Sequence, residues 1–297
     1  MSRLTRSICV SLLVAVMTIS IPPLRAMAAT LTVDDPTDGV QCSGVTFATI
    51  SAAVLAANPA GGDIILVCDG LYTEQVTINK SLTLQGAAGQ TPTVQAPATM
   101  ADPKAIIRVT GTMVNVTIDG LVISGPGGTG CDSIRAGIRV DSGATAMITH
   151  NLVTDIHDAP FGGCQNGVGI IVGRQADLTT GMATIDDNVI QGYQKGGIVV
   201  DNTGSSAVIT NNVITGVGRT EIIGQNGIQV SRGALVPPTN LQGNTITGNF
   251  YWNRSATHVP AVATGVLYFQ SGEPGFEGPI NSTNKIRHNQ VNVAVIP

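Results

Sequence analysis

The decapeptide "ATIDDNVIQG", residues 183–192, returns as "AVITNNVITG" at 207–216, displaced by 24 residues. The same phrase recurs as "VTIDGLVISG" at 116–125, "MITHNLVTD" at 147–155, "NLQGNTITGN" at 240–249 and "KIRHNQVNV" at 285–293. Six copies mark a repeat architecture. Aligned on Ile118, Ile148, Ile185, Ile209, Leu241 and Ile286, the position three residues on holds Leu121 and then Asn151, Asn188, Asn212, Asn244 and Asn289. A second phrase follows each of the first five copies: "GIRVD" at 137, "GIIVG" at 169, "GIVVD" at 197, "GIQVS" at 227 and "GVLYF" at 265. Each opens on Gly and alternates apolar with variable residues, the period-two signature of a strand with one face buried.

An interval of 24 residues is too short for a βαβ unit but sufficient for one turn of a flattened coil built from two or three strands. Stacked coils pair each strand in parallel with its equivalent in the next, about 4.8 Å away. The spacing therefore predicts an all-β chain folded as a parallel β-helix of roughly eight coils. The Asn column fits that fold for two reasons. Asn tolerates the left-handed backbone of a sharp bend, and stacked amides bond from coil to coil in a ladder. Composition agrees: 36 Gly, 3% aromatic residues and 11% charged residues favour many short strands over a helical bundle.

The N-terminus is set apart. Arg3 and Arg6 precede an apolar run from Ile8 to Ile21, and "AMA" at 26–28 offers small residues for cleavage. Residues 1–28 read as a secretory signal, since the run is shorter than the roughly 20 residues of a membrane span. Residues 29–297 are then the exported domain. Cleavage removes three of the 15 Lys and Arg and none of the 19 Asp and Glu, moving the formal charge from −4 to −7. Such a surface repels polyanions, which excludes nucleic acid as a partner. A monomer is expected. Cys9 leaves with the signal, and Cys42, Cys68, Cys131 and Cys164 enter an oxidising compartment without metal-site spacing. Four cysteines allow three connectivities. Cys131 and Cys164 occupy the variable loops of neighbouring coils, and Cys42 and Cys68 flank a helical stretch, which favours the pairs 42–68 and 131–164. That stretch, about 47–58, places Phe47, Ile50, Val54 and Ala57 on one face and ends at Pro59, Gly61 and Gly62. It is expected to cap the first coil.

The run "FATISAAVLAANPAGGDIILVCDGLYTEQVTINKSLTLQGA", 47–87, resembles the opening of many secreted right-handed parallel β-helix proteins, and the "NxIxG" repeats resemble those of the pectin-lyase-like superfold. The resemblance spans nearly the whole mature chain and implies a right-handed coil. It selects no activity, because that superfold holds lyases, hydrolases, esterases, epimerases and proteins without known catalysis. The motifs that mark its pectate lyases, polygalacturonases and pectinesterases have no counterpart here, so it supplies no catalytic residue.

The connections on both sides of the second phrase vary in length, which leaves the choice of face open; the loops between the Asn position and the Gly of the second phrase, ranging from 9 to 21 residues, project from one side of the stack and have the richer content. They carry Phe161, Tyr193, Phe250, Tyr251 and Trp252, rings suited to stacking on sugar faces or else folded back against the coil. They also carry Asp155, His157, Asp158, Lys195 and Arg219, and three readings fit. Asp155 and Asp158 would serve as acid and base in glycoside hydrolysis. Alternatively they would bind Ca²⁺ that neutralises a uronate while Lys195 or Arg219 abstracts a proton; no other cofactor or metal is expected. In the third reading the Asp residues satisfy loop backbone. The expected function is an exported protein that binds, and as a lyase or glycoside hydrolase processes, extracellular polysaccharide. The alternative is a non-catalytic surface scaffold or adhesion protein presenting loops to a protein partner.

Overall fold

Each coil lays down three short strands in succession. The structure is a computed structural model that describes residues 28–37, 39, 42–252 and 262–297. Of the expected signal, residues 1–28, all but residue 28 lie outside the described residues. Among the latter, three wholly parallel sheets of nine, eight and eight strands run the length of the molecule. No described helix is long and apolar enough to cross a membrane.

The pairing register explains the apolar periodicity. Ile65, Leu84, Ile118, Ile148, Ile185, Ile209 and Leu241 stand one above another in the first sheet. Val94, Ile123, Val153, Ile190, Ile214, Ile246 and Ile286 form the column of the second sheet. Ile107, Ile138, Ile170, Ile198, Ile228 and Val266 form that of the third. All three columns point into one continuous core running from Val33 to Ile286. Each of these side chains contributes about 1.5–3 kcal/mol when fully buried, so every coil is held chiefly by its own layer of the stack.

The bend between first and second sheets carries the Asn ladder. Asn188 donates its backbone N–H and its side-chain amide to Oδ1 of Asn212, both at 3.0 Å, and Asn212 does the same to Asn244. Asn151 bonds likewise to Asn188. Asn289 does not continue the ladder: Asn244 bonds to Asn284, and Asn289 instead accepts from Asn249. The reason lies in the last coil. A helix, α2 (Glu277–Thr283), takes the place of its first-sheet strand, so Ile286 pairs with Ile246 in the second sheet rather than with Leu241. The left-handed backbone also sits one residue earlier than the Asn column, at Gly120, His150, Asp187, Asn211 and Gly243. Asn is therefore required by the ladder alone.

Helix α1 covers Ile50–Ala56, narrower than the 47–58 expected, because Val45–Phe47 pair as a strand against Thr30–Val33. Its ends are tied to the coils. The Glu74 carboxylate accepts from the N–H groups of Ile50 and Ser51, and Lys80 Nζ donates to the carbonyls of Val54, Leu55 and Ala57, each charge complementing the helix dipole.

Candidate functional site

In the second phrases the leading Gly is fixed by close stacking. A Cβ at Gly137, Gly169, Gly197 or Gly227 would lie 2.5–2.8 Å from the carbonyl oxygen of the equivalent glycine in the next coil. Two residues on, the side chains Arg108, Arg139, Ile171, Val199 and Gln229 stand in register on the outer face of the third sheet. Where that column turns from Arg to apolar, a cleft of about 520 Å³ opens. Val168, Ile171 and Val199 make its floor. One wall holds Asp132, Arg135 and Lys195 from the loops between second and third sheets, and the other holds Arg174, Asp201 and Arg232 from the opposite ends of the strands.

Ion pairs shape both walls. Arg135 Nε meets Asp132 Oδ1 at 2.8 Å, and the Arg135 guanidinium holds the Asp132 carboxyl below its usual range. Arg232 grips Asp201 through Nε at 2.8 Å and Nη2 at 2.9 Å. Arg174 pairs with Asp177 at 2.6 Å, and Asp177 takes a second bond from the buried Arg139 at 2.7 Å. Arg139 and Arg108 both close on Asp141, at 2.7 and 3.0 Å, so a buried network braces the floor next to the cleft. Lys195 differs from these cations. Its Nζ donates to the Gly224 carbonyl at 2.8 Å, it meets no carboxylate among the described residues, and burial lowers its pKa from the ordinary 10.5. Arg135, Arg174 and Arg232 are thus each matched by an aspartate, and Lys195 is the cation of the lining left over.

Of the residues singled out in the sequence, Lys195 lines this cleft. Asp155 is exposed at a left-handed bend and accepts from Thr154. Asp158 is buried, taking bonds from the backbone and hydroxyl of Ser133, from Gln194 and from Asn166. Burial pushes its carboxyl up, but these donors outweigh burial and hold it below 3.8. Neither carboxylate is on the cleft, and Asp158 has no oxygen left for a metal. A Ca²⁺ ion held by this pair does not fit the residues, nor do Asp132 and Asp201 offer one a site, each being taken by an Arg. His157 donates from Nδ1 to the Asp158 carbonyl at 2.7 Å and packs on Phe161 at 5.6 Å between ring centroids.

The aromatic platform is corrected too. Tyr193 is fully buried in the core and donates to Asn249 Oδ1 at 2.6 Å, so it presents no face to a ligand. Phe250 and Arg219 line a separate hollow, with Trp252 stacked on Arg219 at 3.6 Å, and Tyr251 is half-buried beside them. The cysteines pair 42–68 and 131–164, and the second bridge forms part of the cleft wall. The cleft floor, Arg174, Asp201 and Arg232 were missed. Ile171 and Val199 hold the outward middle positions of "GIIVG" and "GIVVD", Asp201 closes the latter, and Arg174 and Arg232 directly follow "GIIVG" and "GIQVS".

No protein-family model and no curated protein matches this chain. Among solved structures, a pectin methylesterase from Aspergillus niger is 15% identical, with a TM-score of 0.45 over 84% of this chain and 86% of that one. The pectate lyase Pel9A is 12% identical, with a TM-score of 0.46 over 91% and 79%. A pectin methylesterase from carrot is 13% identical, with a TM-score of 0.40 over 91% and 89%. These TM-scores lie below 0.5, so the fold rests on the strand pairing above.

Proposed function

We propose that the cleft on the third sheet binds a uronate-bearing polysaccharide and that Lys195 takes a proton from it, cleaving the chain by β-elimination. The observation that carries this is the combination of an apolar floor, walls bearing three arginines, and a lysine, Lys195, that meets no carboxylate among the described residues and whose pKa is depressed by burial. Sugar rings present apolar C–H faces to such a floor and hydroxyls to polar walls, and the wall arginines, with N–H groups beyond those given to their aspartates, receive the carboxylates of acidic sugars. In the reaction the C5 proton passes to neutral Lys195 Nζ, its electron pair forms the C4–C5 double bond, the C4–O4 bond breaks and the leaving oxygen takes a proton from water. Hydrolysis by paired carboxylates is less well supported, since Asp132 and Asp201 are both engaged by arginines and a general acid must carry a proton. Two disulfides support export, and α1, packed over the first coil's core, serves as its end cover.

Incubation with polygalacturonate, followed by ultraviolet absorbance of unsaturated ends, tests the chemistry. Lys195→Gln is expected to lower the rate by about 10²-fold or more. The wild-type rate should rise with pH through the depressed Lys195 pKa and level off below 10.5, where an ordinary lysine would still be gaining. Retention on immobilised polyuronate that salt abolishes, with no retention on neutral glycans, tests the binding. Retention without unsaturated ends would overturn the elimination; no retention on any glycan would overturn the binding and favour a scaffold.

A further inference from the structure

Second-sheet strands in the middle coils are three residues long, but Val213–Thr220 and Thr245–Tyr251 run eight and seven residues, past the corner where the others stop. The extension places Arg219 directly beside Phe250 in the register. In the next coil the strand is only Lys285–Ile286, and the chain bends away at His288, whose φ is 55°. The mismatch leaves a hollow of about 390 Å³ lined by Gly218, Arg219, Gly248, Phe250, His288 and Asn289. Above Gly218 the space is open, with nothing within 4 Å of where a Cβ would sit.

The charges in this hollow differ from those in the cleft. There, each arginine of the lining is paired with an aspartate. Here, Arg219 forms no ion pair and no side-chain hydrogen bond among the described residues; its guanidinium carbon lies over the half-exposed Trp252 ring, 3.6 Å from the centroid, a cation–π contact that uses none of its N–H donors. His288 adds an exposed imidazole that meets no carboxylate among the described residues. Asn289 is saturated by Asn249, Ile246 and Arg287 and serves only as wall. A cation, an imidazole, an aromatic ring and an open glycine floor together suit a ring that carries an anionic group, such as a six-membered sugar ring bearing a carboxylate.

We infer that this hollow is a second uronate subsite, separate from the cleft, with Arg219 on the carboxylate and Phe250 against the ring. The choice of uronate rests on the function proposed above, because a polymer long enough to fill the cleft offers further acidic rings for a second anchor; the site itself rests on its own geometry. Such an anchor raises the effective concentration of chain at the cleft without any new contact there.

The test uses the only tryptophan in the chain. Wild-type protein is titrated with a hexauronate and with a neutral hexasaccharide, following Trp252 emission and, in the same samples, heat of binding. A saturable emission change is expected with the hexauronate, at least tenfold weaker with the neutral sugar. Arg219→Gln should abolish that change while leaving cleavage of a short oligomer intact, and Lys195→Gln should abolish cleavage while leaving the change intact. Heat of binding with silent Trp252 emission would overturn the subsite and leave the cleft standing. An emission response that survives Arg219→Gln, or equals that of the neutral sugar, would overturn the assignment of the carboxylate. An emission response without cleavage would overturn the elimination and spare the subsite. Far-ultraviolet circular dichroism of both variants confirms that each retains the fold.

Discussion

Asp158 and Lys195 belong to the same layer of loops, and burial acts on both against the charged form. What separates them is the company each keeps. Asp158 receives donors from Ser133, Gln194 and Asn166, whereas Lys195 has one carbonyl. The first is therefore a structural anion and the second a base in waiting. Because its folded pKa lies below 3.8, Asp158 contributes stability that is full above that value and fades as pH falls through the folded one. Asp158→Asn keeps the shape but turns an amide toward its donors, and it is expected to cost about 2 kcal/mol at pH 7. Urea unfolding should show the gap from wild type narrowing below pH 3.8, since the variant has no proton to gain. From "DIHDAP" alone the two aspartates look equivalent; only the partners brought in from 25 to 36 residues away distinguish them.

At the scale of elements, the second phrase repays its periodicity twice. Its Gly lets successive third-sheet strands approach, and its outward middle position sets what the cleft floor is made of. Gly197→Ala would put a methyl 2.5 Å from the Gly227 carbonyl and 2.6 Å from Ile214, in a stack with backbone on both sides that cannot yield. A loss of about 1–3 kcal/mol is expected, read as a lower midpoint in thermal or denaturant unfolding. Strand existence and the core-facing residues were legible in the sequence because period-two alternation reports directly which side chains leave water. The last repeat was misplaced because "KIRHN" and "NLQGN" both place an aliphatic residue three before Asn, and the sequence does not show that α2 has displaced a strand.

For the whole molecule, coils that contact only their neighbours behave as a nearly one-dimensional stack. Asn188 and Asn212 occupy equivalent positions one coil apart, so deleting residues 188–211 joins Asp187 to Asn212 and leaves Asn151 bonding to Asn212 in register. That variant is expected to fold with an unchanged β spectrum per residue by circular dichroism and to keep the Trp252 response, but to lose cleavage with Lys195, Val199 and Asp201. If it fails to fold, the coils are less independent than their pairing implies. The sequence by itself determined that this chain coils, which residues face inward and where the amide ladder runs from Asn151 to Asn244, because those properties repeat with each turn and a repeat is visible in one dimension. Only the tertiary structure decided where a ligand could sit, because a cleft exists in the departures from the repeat: in which outward side chains lack a partner, in how far one strand overruns the next, and in which charges are already neutralised by residues a coil away.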